Sequence, residues 1–487
     1  MFVRNISIVM ATNVAKTGLG ILGSILLVRT YGLAVTGEIA LAAGLAGIPT
    51  MVSDLGFSSA YSKFLASDRE GQPRYLGAYA LIKALLLIPF AAAAVIAYHF
   101  AGPDAWMFAA AFATFLLVPF ADITNSTLSG LRSFSTLSAL ELTAKSAVFA
   151  ATLVLVILYR NKYAVAMLPA IDPLLKTGYL LVMLAKGGVR IERPDKALLK
   201  RYWGYTLPLM FTQAVSTSMN YLDRIFLGKL VGLQELGTYA VAQRVYSGLD
   251  VLVKPLTTNL FTEFAARMAA DKDFLGTRFK DVLAVLNVLG ALVVLSALFL
   301  SAPALRIMYG PEAAPAALTI AFFTLVMWCK LFFRPYHSVM LITENHAIMS
   351  YLGILNLPLL ILFYSTLIPL QVGGRVLGGS AIPLTECLQW LFPTGAYILY
   401  FMAKRGLPTH SPWLLIRIHL PFALLVPMAF FTGFGLGFYP LYLAVFLALE
   451  YRLGVLTPYR IGFVLSPLSG LAKRLGLKLP FVPKSDS

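Results

Sequence analysis

Residues 281–303 read DVLAVLNVLGALVVLSALFLSAP, with no charge after Asp281. As an α-helix this run is about 34 Å long, enough to cross the ~30 Å hydrocarbon core of a bilayer. In hydrocarbon every backbone N–H and C=O must be satisfied within the segment, so such a run is helical; barrel strands show about ten residues of alternating character instead. Outward from it, similar runs recur between residues 5 and 456 without any long soluble stretch. The 487 residues are 59% hydrophobic and 13% charged, against roughly 45–50% and 25% in soluble domains. Mean hydropathy is +0.79. The expected fold class is all-α, a polytopic membrane protein with no separate catalytic domain.

Apolar runs between charged or Pro/Gly-rich breaks give about fourteen spans, near 6–29, 37–60, 76–98, 105–130, 137–158, 163–185, 204–228, 236–260, 281–303, 315–342, 347–369, 377–402, 412–433 and 437–456. The first has no small-residue cleavage site and reads as retained. Expected divisions are an N-lobe (1–185), a basic linker (186–203), a C-lobe (204–402), two further spans (403–456) and a cationic, amphipathic surface tail (457–487).

With an even number of spans both ends face one side. Of 39 basic residues, the segments on the N-terminal side hold 23, and those opposite hold Arg160, Lys162, Lys229, Arg306 and Arg375. The positive-inside rule then makes both termini cytoplasmic in a cell membrane. Topology and anionic lipid head groups account for the net charge of +17, so nucleic acid is not an expected partner.

The two halves align at an offset of 200. Leu27, Gly32, Leu33, Gly37, Ala40, Ala42, Phe64 and Ala66 match Leu227, Gly232, Leu233, Gly237, Ala240, Ala242, Phe264 and Ala266 without a gap. Two glycines five apart at the same short turn weigh most. Spans one and seven start on the same side, so the repeat is parallel: two six-helix lobes facing a central cavity, a symmetry that permits alternating access.

Basic residues inside spans are costly, about 2.5–3.5 kcal/mol each at a helix centre on insertion scales. Arg29, Arg224 and Arg417 lie near span ends or beside an acid, where snorkelling or pairing answers for them. Glu141/Lys145, Asp172/Lys176 and Asp250/Lys254 stand at i,i+4 spacing, which permits mutual neutralisation. Lys330 and Arg334 repel at that spacing with no acid in the same turn, so Asp54, Asp122 or Glu386 from other helices, or an anionic substrate, must balance them. Lys16, Lys83 and Arg244 also lack an acid one turn away. Substrate-binding candidates are therefore Lys16, Lys83, Lys145, Arg244, Lys254, Lys330 and Arg334, whose cationic lumen suits a phosphate or pyrophosphate. Asp122 and Asp54 are candidates for a coupling proton or Na⁺. Asp54 stands in the turn-like string Asp54-Leu55-Gly56-Phe57, which equally suits capping.

No GxxxxGK[ST], HExxH or CxxC motif is present, so no cofactor, metal site or ATP hydrolysis is expected. Cys329 and Cys387 each lie in an apolar run, as small buried hydrophobes do.

Several strings together resemble the polysaccharide flippases of the multidrug/oligosaccharidyl-lipid/polysaccharide exporter superfamily. They are Arg29-Thr30-Tyr31-Gly32 with Gly37, Asp54 with Gly56 and Phe57, Asp223, Gly237 with Tyr239, Pro255, and Met308-Tyr309-Gly310-Pro311-Glu312 with Ala316 and Ala317. The resemblance implies a V-shaped, two-lobed, non-enzymatic transporter. It would flip polyprenyl-pyrophosphate-linked oligosaccharide to the outer leaflet for O-antigen, capsule or related glycans, alongside polymerase or ligase partners. The related lipid II flippases carry a basic cluster on spans one, two and eight; here Lys16 and Arg244 correspond on spans one and eight, while span two offers Asp54. A cation-coupled drug or small-solute exporter of the same superfamily is the alternative, for which twelve spans and an acidic lumen are more usual. A membrane glycosyltransferase would need larger outer loops than these.

Overall fold

A computed structural model describes residues 2–101, 105–270, 279–342, 347–404, 417, 419–421, 424–425 and 436–457. The chain forms two compact units: Met1–Leu252 with Met308–Ala313 and Ala347–Ile382, and Val253–Ile307 with Ala314–His346 and Pro383–Ser487.

In the first unit α1 (Phe2–Gly47) contains the first span and begins the second. The expected loop at 30–36 is a single break: Gly32 (φ +80°, ψ 175°) leaves the helix in a conformation that a side chain would strain. The second span continues in α2 (Thr50–Asp54) and α3 (Phe57–Ser67), interrupted where Leu55 (φ +51°) and Gly56 (φ +88°) turn left-handed. Asp54 stabilises this break, accepting from the Gly56 amide at 3.2 Å and the Ser58 hydroxyl at 2.6 Å, so the capping alternative is realised.

Next come α4 (Gln72–Ala101), α5 (Ala105–Leu116), α6 (Val118–Gly130) and α7 (Phe134–Val154). In the loop before α4, the Tyr75 hydroxyl and the Gly71 amide hold the exposed Asp68 carboxyl below its usual range. After a π-turn at Leu155–Tyr159, Asn161 caps α8 (Lys162–Met167), and α9 (Ile171–Ala185) follows. An aromatic core of Phe57, Tyr61, Phe64, Tyr79 and Tyr202 binds α3, α4 and α10 (Lys196–Leu230) together. Tyr61 stacks on Tyr79 at 5.0 Å. Each such ring contributes about 1.5–3 kcal/mol on burial from water.

Gly232 (φ +107°) joins α10 to α11 (Leu233–Ala270), repeating the turn at Gly32. The repeat is also visible as contact: a Cβ on Gly37 would collide with the Leu233 carbonyl, and one on Gly237 with the Leu33 carbonyl. Both pairs obey the offset of 200, so the contact is reciprocal, as a local two-fold relation requires.

In the second unit, α12 (Phe279–Tyr309), whose last two residues belong to the first, contains the stretch at 281–303. α13 (Ala316–Ile342) follows, and α14 (Ala347–Leu367) returns to the first unit. The all-α expectation meets one small exception there: β1 (Gln371–Val372) and β2 (Arg375–Val376) pair antiparallel around Gly373 and Gly374, both at positive φ. α15 (Ala381–Gln389), a π-turn at Trp390–Gly395 containing Pro393, and α16 (Ala396–Lys404) follow, and α17 (Tyr439–Arg452) closes the described chain. Cys329 and Cys387 are free, buried and packed together with Val326, although 58 residues separate them.

Among the described residues seven helical stretches are long and apolar enough to cross a membrane, Val9–Asp54 and Asp281–Tyr309 among them. The span expected at 412–433 and the tail from 457 lie almost wholly outside the described residues. The protein is a polytopic helical membrane protein, for which fourteen is an approximate span count.

Candidate functional site

Within the first unit a cavity of about 450 Å³ is lined by charged side chains from four helices. α1 supplies Lys16, α7 supplies Glu141 and Lys145, α9 supplies Asp172 and Lys176, and α11 supplies Arg244. The two i,i+4 pairs place both members of each on one face of α7 and of α9. Gly20, one turn beyond Lys16, makes room: the ends of Lys145 and Arg244 both reach 3.6 Å from where its Cβ would be.

The pairing inside differs from the sequence expectation. Glu141 bonds Lys16 across 125 residues and stands 3.9 Å from Lys176, rather than neutralising Lys145 one turn away on its own helix. Asp172 pairs with Lys176 at 3.0 Å, as its spacing implied. Lys145 and Arg244 make no ion pair among the described residues. Four cations against two carboxylates leave a formal excess of two positive charges, concentrated on those two residues.

A second charge cluster lies between α2, α4 and α6. The Lys83 ammonium donates to Asp54 at 2.8 Å, Asp122 at 3.0 Å and the Ser53 carbonyl at 2.9 Å, using its three N–H bonds, and the side chain is 4% exposed. Asp54 also accepts from Tyr79 at 3.0 Å. Both coupling-ion candidates thus close on Lys83, which is not part of the cavity wall. Removing one partner of a buried charge cluster strands the others, at a cost of about 3–5 kcal/mol. Lys83→Met is therefore expected to lower the thermal midpoint by many degrees, and adding Asp54→Asn and Asp122→Asn is expected to recover part of the loss. An unchanged midpoint in a thermal-shift measurement would show that the cluster stabilises nothing.

In the second unit Lys330 is balanced by Glu386 of α15 at 2.6 Å, one of the acids expected from other helices. Arg334, one turn along α13, is half-buried. Neither residue is part of the wall of the cavity described above. The Lys254 side chain lies outside the described residues. Lys176, Glu141 and Asp172 are cavity residues that the sequence reading treated as self-neutralised. The available signal was that α7 and α9 carry the same acid/base spacing.

The strings carrying the family resemblance also meet. Arg29 Nε donates to the Met308 carbonyl at 2.8 Å, Ser24 and Tyr309 hydroxyls pair at 2.8 Å, and Asp223 accepts from Tyr239 at 2.5 Å. Together with the Gly37 and Gly237 contacts they fasten α1, α10, α11 and the end of α12.

A family described as polysaccharide biosynthesis protein matches residues 2–261, more than half of the chain, including α1, α7, α9 and the Arg244 turn of α11. The chain belongs to the polysaccharide biosynthesis protein family. Among solved structures, this family member is similar to a lipid II flippase MurJ in an inward closed conformation, at 12% identity and a TM-score of 0.67, covering 90% of this chain and 96% of that one. It is also similar to an inward-facing multidrug resistance MATE family transporter of the MOP superfamily, at 14% identity and a TM-score of 0.52, covering 82% and 93%. At such identities the likeness is one of fold. Those two proteins are a lipid II flippase and a multidrug resistance transporter. No curated protein is matched.

Proposed function

We propose that the protein flips polyprenyl-pyrophosphate-linked oligosaccharide from the cytoplasmic to the outer leaflet of the cell membrane, for O-antigen or related polysaccharide synthesis. The cavity carries this reading: two cations that hold no ion pair among the described residues, Lys145 and Arg244, stand in a chamber of about 450 Å³. A pyrophosphate supplies the missing negative charge, and charge-assisted hydrogen bonds to it are strong where water is scarce. Lys16 and Lys176, held by Glu141 and Asp172, exchange carboxylate for phosphate partners as the head group enters.

Transport proceeds by alternating access between the lobes read at 1–185 and 204–402, with both termini cytoplasmic, the reciprocal glycine contact opening and closing as the lobes rock. Lys254, Lys330 and Arg334 are further substrate-binding residues, Asp122 and Asp54 respond to a coupling ion through Lys83, and a glycan polymerase or ligase receives the product. The family description, polysaccharide biosynthesis, supports a glycan rather than a drug as cargo.

The test is translocation of a fluorescent polyprenyl-pyrophosphate oligosaccharide in proteoliposomes, read by quenching from outside. Protein-dependent movement is the expected result. Failure to move several such lipids, with export of a soluble organic cation instead, would replace this reading with the cation-coupled exporter.

A further inference from the structure

The second unit holds a buried carboxyl that the cavity does not use. Glu450, in the last turn of α17, is 0% exposed, and both of its carboxyl oxygens lack a hydrogen-bond partner. Its own backbone carbonyl accepts from Val455 at 3.0 Å and Leu456 at 3.1 Å, folding the chain after the helix back over this turn. The core here is made by Ala284, Val288, Ala291, Leu295 and Phe299 of α12, by Leu425, by Tyr442 and Phe446 of α17, and by Val455.

Among the described residues the polar groups that α12 brings to this region, Ser296 and Asn287, carry no charge. Its titratable members, Tyr439 and Tyr442, lie on the helix of Glu450 itself, and the Tyr439 hydroxyl is engaged by Ser296 at 2.9 Å. The charged residues closest along the two helices are Asp281, in the first turn of α12, and Arg452, in the last turn of α17. A second orphan lies on α12: Asn287, beside Val288 and also 0% exposed, donates to the Leu283 carbonyl at 2.8 Å, but its side-chain oxygen receives no hydrogen bond. Three acceptor oxygens on two packed helices thus have no donor, and an ionised carboxylate with neither donor nor counter-charge is the costliest group an apolar core can hold.

We propose that Glu450 is a proton-binding site: the carboxyl is neutral while α17 is seated on α12, and it ionises when that seat opens to water. The proton removes the charge and supplies the missing donor. The seated form binds the proton more tightly than the open form does, so seating strengthens as pH falls and weakens as pH rises through the ionisation. Asp54 and Asp122 differ, because each has a donor and a cation beside it, the Lys83 ammonium at 2.8 Å and 3.0 Å. The site is independent of which lipid or solute is moved, so it stands or falls apart from the proposed function.

The experiment uses dicyclohexylcarbodiimide, which modifies protonated carboxyls in apolar surroundings, on the full chain in lipid nanodiscs, with mapping by mass spectrometry. Glu450 is expected to carry the adduct at low pH, with labelling falling about tenfold per pH unit once the group ionises. Glu450→Gln, which keeps the shape and cannot ionise, is expected to lose the adduct and also the part of the wild-type decline in thermal midpoint that accompanies rising pH. An unlabelled Glu450 in folded protein, labelling indifferent to pH, blocking by Na⁺ at constant pH, or identical pH profiles for wild type and Glu450→Gln would each overturn the proposal.

Discussion

Lys145→Glu/Arg244→Glu is expected to abolish flipping, with initial rates at least about a hundredfold below wild type, since two charge-assisted contacts of roughly 1.5–3 kcal/mol each are lost. Reversal is chosen over alanine because it turns a cavity with two excess positive charges into one with two excess negative charges, which repels a pyrophosphate as well as failing to bind it. Gly20 leaves both side-chain ends room, and neither holds an ion pair among the described residues, so the substitution breaks no described structural bridge. The variant should therefore elute and melt like wild type. A folded double variant that flips at the wild-type rate would remove the cavity from the mechanism, and an equal loss in Lys330→Ala would show that flipping also depends on a cation of the second unit.

Gly37→Val carries the second large effect. Its added Cβ would fall within bonding distance of the Leu233 carbonyl, and backbone cannot swing aside as a side-chain end does. Overpacking of this kind costs about 1–3 kcal/mol where helices can separate, which shifts a two-state gate by roughly one to two powers of ten toward the separated form. The symmetry-related Gly237→Val should act the same way against Leu33. Leu33 is 3% exposed, so in a background without Cys329 and Cys387 a cysteine at position 33 should resist a polar maleimide. With Gly37→Val it should label readily, and flipping should fall. Continued protection of that cysteine would show that the crossing relaxes without opening.

The glycine pair was legible in the sequence alone, because a repeat leaves matched residues wherever both copies need the same backbone. Gly32 and Gly232 are matched by their positive φ, and Gly37 and Gly237 by the carbonyl each must face. The sequence also named Lys16 and Arg244, since an unbalanced charge in an apolar run stands out whatever the fold, and it named Lys145 although Glu141 stands one turn away. Lys83 stood out equally and lies elsewhere, closed upon Asp54 and Asp122. Glu450 drew no notice because a lone acid in the last span forms no pattern along the chain, and only the tertiary structure shows that it is buried.

The sequence by itself determined that this is a bilayer-spanning helical protein, because hydrocarbon forces each apolar run to satisfy its own backbone, and its offset of 200 marked the turns that recur at Gly32 and Gly232. Only the tertiary structure decided which acid answers which cation. Glu141 takes Lys16 across 125 residues, and Glu386 takes Lys330 from another helix. Such pairings follow helix packing, not spacing along a helix, and Lys145 and Arg244 mark the cavity as the two of its cations that hold no ion pair among the described residues.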